Sequence, residues 1–441
     1  MFCQNKNSYL QLVCAVNPRV INKAVDQAMS KKLKDPHDES PGTERLTSMQ
    51  PSLFAPHVDI SRARLGFERI GLRIINRELH SEDSLIQLQA LHTILDQVQI
   101  SESAMFLINL NVIYRLMDLI RHRDPVIREK VCMTLSHLAT YYQGRKRIMA
   151  RPQITEDLMW LFTRDRKEIR YAAAFTLKTL ARDRCASEVI CQNPKIIETL
   201  LKTIKNDHTG TILFHLQTLA NLIEWDQVVP LKLNAFQIML MHFKDKDPRI
   251  VAKAMDCMAQ LLKHDVGKKL ADNNDLIYVL KPYLYKSDIE VVISAVGVLL
   301  YSTITTRSKW RAKECCNEMT SQLVKLCCKP NKPLLQMRCM RVLINLCDCP
   351  DIRYHVKKHW EKKIIDMKIR SHEEWDGGSE TTSYGLETGH NYRTRCIEKI
   401  ETIRNDYGDN ADVVNAHSYL RRVKQVKDQL VRAMNWKSYR N

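Results

Sequence analysis

Apolar side chains return along this chain at the three- and four-residue spacing of amphipathic helices, and the whole pattern recurs about every 41 residues. Each copy opens on a polar turn with an acidic residue and runs on into a long apolar stretch. The copies begin at Asp83 (SEDSLIQLQALHTIL), Asp124 (RDPVIREKVCMTLSHLA), Asp165 (RDRKEIRYAAAFTLKTLA), Asp207 (NDHTGTILFHLQTLANLI), Asp247 (KDPRIVAKAMDCMAQLL) and Asp288 (SDIEVVISAVGVLL), with a degenerate seventh near Lys332. Before each turn lies one amphipathic helix, as in Ile154, Leu158, Leu161 and Phe162, or Val112, Ile113, Leu116, Leu119 and Ile120. After it lies a longer one. There Ile169, Ala173, Leu177 and Leu180 recur at helical intervals, with a small residue in the middle that permits close helix approach. A third, short helix is predicted between copies, at Gly144 to Ile148 and again at Gly267 to Leu270.

One such unit cannot bury its apolar face alone, so successive units must stack and share a continuous core. Three helices in a period of this length predict an all-α fold, an armadillo-type (ARM/HEAT-like) helical solenoid of about seven repeats. The chain divides accordingly. Residues 1–59 hold an N-terminal helix (Val20, Ile21, Ala24, Val25, Ala28) and a polar, proline-bearing linker, and 60–370 form the solenoid. Residues 371–391, rich in glycine, serine and threonine, form a second linker. In 392–441 a short helix around Cys396 to Ile403 precedes a longer one with Val413, Ala416, Leu420, Val423, Leu430 and Met434 near heptad spacing. Lys427 interrupts that seam. The segment reads as a helical hairpin packed on itself or as a docking helix for a partner.

With 441 residues and 44% apolar composition, the chain can bury a large core without splitting into globular domains. No apolar run is long enough for a membrane span, and YLQLVCAV near the start lacks the basic lead of a secretory signal, so a cytosolic location is expected. The fourteen cysteines fall mostly within helical patterns, where a reduced thiol packs as a small hydrophobe. Cys315, Cys316, Cys327, Cys328, Cys339, Cys347 and Cys349 crowd together but lack paired C-x-x-C spacing, which favours core packing over zinc. His355 and His359 share a helix face without a third ligand. Walker, dinucleotide, H-E-x-x-H and G-x-S-x-G motifs are all missing, so the sequence offers no catalytic machinery and no cofactor is expected.

The net charge of +18 is informative through its placement. Arg121, Arg123, Arg164, Arg166, Lys167, Lys244 and Lys246 all flank the repeat turns, with Lys205, Lys286, Lys329 and Lys332 in similar positions. Stacking would align them along one edge and attract an acidic partner surface, although the same charges also serve a solvated, soluble edge. Aromatic residues for base stacking are missing from that ridge, which makes nucleic acid the least favoured partner. On the long helices, His137, Thr179, Asn221, Gln260 and Asn345 occupy positions expected to face a bound polypeptide.

The segment from Ala63 to Asp96, ARLGFERIGLRIINRELHSEDSLIQLQALHTILD, resembles the opening of the radial spoke head armadillo proteins, also called rhabdoid tumour deletion region proteins. Ala63, Leu79, Ser81, Glu82, Asp83, Gln87, Ala90 and Leu91 carry the likeness, and Gly144-Arg145 and Gly267-Lys268-Lys269 extend it through the repeats. This resemblance implies a non-enzymatic component of the radial spoke in the axoneme of motile cilia or sperm flagella, bound to other axonemal proteins. The alternative is a soluble armadillo cargo or signalling adaptor outside cilia. Nuclear-import adaptors pair an asparagine on each long helix with a tryptophan one turn earlier. Here Met133, Phe175, Gln217 and Met255 or Asp256 stand where the tryptophans would be, so that ladder is broken.

Overall fold

The computed structural model describes residues 68–330, 332–369 and 416–436, and every regular element among them is helical. The expectations for 1–59, for the linker 371–391 and for the short helix around Cys396 lie outside the described residues. The chain forms two compact units, Met1–Thr134 and Leu135–Asn441, with helix α5 (Pro125–Leu138) straddling the division.

In the first unit, α1 (Glu68–Glu78) and α2 (Ser84–Gln97) precede the short α3 (Ser101–Asn109) and α4 (Val112–Leu119), and α1 packs on both α2 and α3. Arg115 Nε donates to the Leu79 carbonyl oxygen over 3.1 Å, which ties α4 to the end of α1. Leu91, Ile94, Leu107, Ile108, Ile113 and Leu116 are fully buried. Each such side chain contributes about 1.5–3 kcal/mol relative to exposure.

The second unit repeats one triplet. Two shorter helices lead into a long third helix: α6 (Tyr142–Met149), α7 (Gln153–Arg164) and α8 (Lys167–Leu180); then α9 (Arg184–Cys191), α10 (Pro194–Asn206) and α11 (Thr209–Trp225). Next come α12 (Val228–Lys232), α13 (Ala235–His242) and α14 (Pro248–Leu261); then α15 (Asp265–Asn273), α16 (Leu276–Leu280) with a 3-10 turn Lys281–Tyr285, and α17 (Ile289–Ser302). The last triplet is α18 (Thr306–Glu314), α19 (Cys316–Cys327) and α20 (Pro333–Cys347), followed by α21 (Pro350–Ile365) and α22 (Ala416–Asn435). Third helices of successive triplets pack against one another from α8 through α20.

Local chemistry explains why the acidic turn recurs. Asp83, Asp124, Asp247 and Asp288 each accept a hydrogen bond from the backbone N–H two residues on (2.8–2.9 Å), which satisfies an otherwise orphan donor at the start of a long helix. In the α8 and α11 copies the aspartate sits one residue earlier and does not cap; Arg166 and His208 hold the N-cap position instead. Asp207 is thereby available to Arg170 of the preceding triplet. The turn before the second helix has its own signature: Asn111, Asn234 and Asp275 all adopt left-handed backbone (φ 60°, 60° and 44°) immediately before α4, α13 and α16. Asparagine and aspartate tolerate that conformation better than other non-glycine residues.

Polar ties join the short first helices from triplet to triplet. Thr305 and Ser308 both donate to Asp272 Oδ1 (2.8 and 2.6 Å), Arg311 pairs with Asp275 (3.1 Å) and Lys309 with Asp348 (2.7 Å). The C-terminal helix follows a course that its sequence does not announce. Instead of offering its apolar stripe to a partner, α22 packs on α20 and α21 and buries Val423, Val426, Leu430 and Met434. Lys427 is no defect in that stripe: its Nζ donates to the carbonyl oxygens of Ile365 (2.7 Å) and Met367 (2.9 Å), placing a cation where the end of α21 exposes unpaired acceptors.

Candidate functional site

Every long third helix buries most of its circumference, so any side chain it still shows to solvent is a candidate for partner contact. On α17 only the ends remain half-buried, at Ile289, Glu290 and Tyr301: Val291 to Leu300 are all buried, and Arg338 of α20 lies across Gly297 while donating to the Ile293 carbonyl oxygen (3.1 Å). The open stretch lies on α8, α11 and α14. Tyr171 is 42% exposed, and Phe175 and Phe214 are half-buried beside it. The ring centroids of Tyr171 and Phe214 stand 4.9 Å apart, and those of Phe175 and Phe214 5.2 Å. Lys178 Nζ lies 5.0 Å from the Phe214 ring and 5.5 Å from that of Phe175, a geometry in which the ring faces attract the ammonium.

Electrostatics sharpen this patch. Burial pushes the Lys178 amine down to about 8, assisted by the positive charges of Arg182 and of Lys253 on α14. No carboxylate among the described residues bonds Lys178. Lys253 differs, because its pairing with Asp256 (3.1 Å) raises its pKa against the burial that opposes it. Asp256 in turn accepts from Ser294 Oγ on α17 (2.8 Å), so both of its oxygens are engaged. Gln217 on α11 and Gln260 on α14 each keep a buried side-chain oxygen without a partner.

The residues expected from sequence meet different fates. Arg121 and Arg123, in the first unit, and Arg164, Arg166, Lys167, Lys244 and Lys246, in the second, are all exposed beside the turns before third helices. Asn221 and Gln260 are half-buried on α11 and α14, next to the open stretch. Thr179 is buried, and its hydroxyl donates to the Phe175 carbonyl oxygen one turn back (2.9 Å). Asn345 donates to the Leu300 carbonyl oxygen (2.9 Å) and to Thr303 Oγ1 (3.3 Å), joining α20 to α17. His137 sits half-buried at the end of α5, and burial lowers its pKa. The Thr179 hydroxyl and the Asn345 amide nitrogen are therefore engaged as donors inside the fold. Sequence reasoning missed Tyr171, Lys178, Phe214 and Lys253; Tyr171, Phe175 and Lys178 stand at i, i+4 and i+7 of one helix, a stripe that reads as core until its neighbours are known.

Of the crowded cysteines, Cys315, Cys327, Cys339 and Cys347 are buried core residues and Cys316, Cys328 and Cys349 are half-buried; burial pushes the Cys347 thiol up to about 12. His355 and His359 stack on each other with centroids 4.6 Å apart on α21. Among the described residues no group of three or more His, Cys, Asp or Glu is placed to hold a metal, and no helix is long and apolar enough to cross a membrane.

One bond bears directly on how the triplets stay in register. Arg170 at the start of α8 grips Asp207, Nη2 to Oδ1 at 2.8 Å and Nε to Oδ2 at 3.1 Å, and Nη1 donates to the Asp165 carbonyl oxygen at 3.1 Å. The Asp207 side chain is 5% exposed and that of Arg170 29%. Asp207→Ala is expected to cost about 2 kcal/mol by stranding a half-buried guanidinium. In a double-mutant cycle with Arg170→Ala, urea denaturation should show most of that loss as coupling, and additive losses would contradict it.

No family model matches the chain, and no curated protein matches it. Among solved structures it is similar to an engineered protein at 17% identity and TM-score 0.60, over 83% of this chain and 89% of that one. Computationally designed armadillo repeat proteins for modular peptide recognition align at 14% identity and TM-score 0.48, over 52% of this chain and 99% of theirs. A designed armadillo repeat protein in complex with the peptide (KR)4 aligns at 13% identity and TM-score 0.49, again over 52% and 99%. The likeness to the engineered protein at TM-score 0.60, at 17% identity, speaks for fold alone. Together with the three-helix units described above, it establishes an all-α helical solenoid of the armadillo type.

Proposed function

We propose that this chain is a non-enzymatic protein-interaction scaffold that holds a partner polypeptide on the open α8–α11–α14 face, and that it serves as a structural component of the axonemal radial spoke in motile cilia or sperm flagella. The observation that carries the scaffold reading is the ring cluster of exposed Tyr171 with half-buried Phe175 and Phe214 on packed third helices, where a folded chain has every incentive to bury rings. Rigid, shallowly exposed aromatics on a preformed surface bind with little loss of side-chain freedom. The axonemal assignment is supported by the resemblance over Ala63 to Asp96 and through the repeats. Its test is location. A fluorescently tagged chain expressed in ciliated cells is expected along the axoneme and should stay there after detergent extraction. A signal spread through cytosol and nucleus and lost on extraction would select the soluble adaptor instead.

A further inference from the structure

We propose that the α8–α11–α14 face selects an acidic segment of its partner, seating a carboxylate at Lys178 and an adjoining apolar or aromatic side chain against Tyr171 and Phe214. This rests on the scaffold reading and adds the chemistry of the ligand. Arg182, just past the end of α8, and Lys253, on α14, are the charges that act on Lys178, and both are positive. Asp256 is held by Lys253 on one oxygen and Ser294 on the other, and Glu290 also acts on Lys253. Lys178 thus has aromatic faces for neighbours and, among the described residues, no counter-ion, in a half-buried position where an ammonium is poorly hydrated. An incoming carboxylate would supply that counter-ion at low desolvation cost, because water has already been largely displaced from the amine.

The rings supply the second half of the specificity. Phe214 lies between Tyr171 and Phe175, so a side chain lying next to the carboxylate would meet an aromatic surface already assembled. A basic peptide would meet the Lys178 ammonium with no carboxylate of its own to offer, and would be repelled. The exposed arginines and lysines at the repeat turns can raise the encounter rate of such an acidic segment, but they lack the aromatic walls that would fix its register.

The test uses the full chain and three labelled peptides, (Glu-Phe)4, (Gln-Phe)4 and (Lys-Phe)4, in a fluorescence-anisotropy titration. The glutamate peptide is expected to bind at least tenfold more tightly than the glutamine peptide, and the lysine peptide not at all. Lys178→Met should weaken the glutamate peptide about tenfold, the usual scale of one charge-assisted hydrogen bond. Lys178→Glu should reverse the preference towards (Lys-Phe)4, a gain that a merely misfolded variant would not show. Equal affinities for the glutamate and glutamine peptides, or an unaltered preference in Lys178→Glu, would overturn the proposal. A photo-crosslinker placed at Tyr171 separates this from the scaffold reading. If it captures an axonemal protein that excess (Glu-Phe)4 fails to compete away, the acidic ligand is wrong while the scaffold stands. If crosslinkers at Tyr171 and Asn221 both capture nothing, the scaffold reading and this inference fall together.

Discussion

Gly267→Ala is expected to lower the unfolding free energy by about 3 kcal/mol, at the upper end of what overpacking costs. Gly267 lies in the first turn of α15, pressed against the end of α14. A methyl group there would overlap the Leu261 carbonyl oxygen and stand 2.9 Å from its carbon and 3.3 Å from Leu262 Cα. All three obstacles are backbone, and the one carbonyl concerned, that of Leu261 at the end of α14, is engaged by the His264 N–H (3.3 Å). Relief therefore means moving α15 off α14. Gly297→Ala makes an instructive control, since its methyl would meet Arg338 Nη1 at 3.0 Å, the far end of a flexible side chain. That variant should lose no more than about 1 kcal/mol, through the Arg338 bond to Ile293. Urea denaturation followed by circular dichroism would rank the two, and equal midpoints would refute the steric account.

The second large effect is acid sensitivity centred on His215. This side chain on α11 is 0% exposed, neither ring nitrogen has a hydrogen-bond partner, and its ring meets Phe162 edge to face at 4.9 Å. Burial drives its pKa down to about 4; the Asp207 carboxylate pulls the other way and Arg170 adds a little to the fall. The unfolded chain takes up the proton below its ordinary value of about 6.5, whereas the folded chain resists until about 4. Between those values the unfolded state binds more protons, so stability falls as pH falls through that window, by on the order of 3 kcal/mol in all. His215→Leu should remove that part of the slope and, having no orphan nitrogens to bury, should match or exceed the native protein in stability at pH 5. Chemical denaturation at intervals between pH 7 and pH 4 would expose the difference. Parallel pH profiles for the two proteins would rule out His215 as the source.

How far such features could be read in advance differs from residue to residue. Asp83, Asp124, Asp247 and Asp288 were visible because a capping aspartate must precede its helix by a fixed offset, and the offset repeats with the unit. Gly144 and Gly267 were visible for a similar reason, as small residues opening the short helices, and both are buried there. Lys427 was misleading: a lysine within an apolar stripe looks like a break, and only the proximity of the α21 terminus turns it into a cap. Asn345 stood at a position expected to face a ligand, yet its amide joins two helices of the fold. The αL residues Asn111, Asn234 and Asp275 left a faint signal, the latter two 41 positions apart, that hydrophobic periodicity does not weigh.

Among the described residues, helix positions, their order within each triplet and the packing of successive triplets were therefore determined by the amino-acid sequence alone. Each rests on burial and capping within one helix or between immediate neighbours, and such short-range requirements leave a periodic trace in the residue pattern. The pairings that give the molecule its particular surface were decided only by tertiary structure. Arg170 meets Asp207 across 37 positions and Lys427 meets Ile365 across 62, while Lys178 finds itself beside Phe214 and within reach of the charge on Lys253. Those partners depend on the rotation and register of one packed helix against the next. A hydrophobic repeat records that a face is buried, and it carries no record of which polar side chain at the margin of that face will stand opposite which.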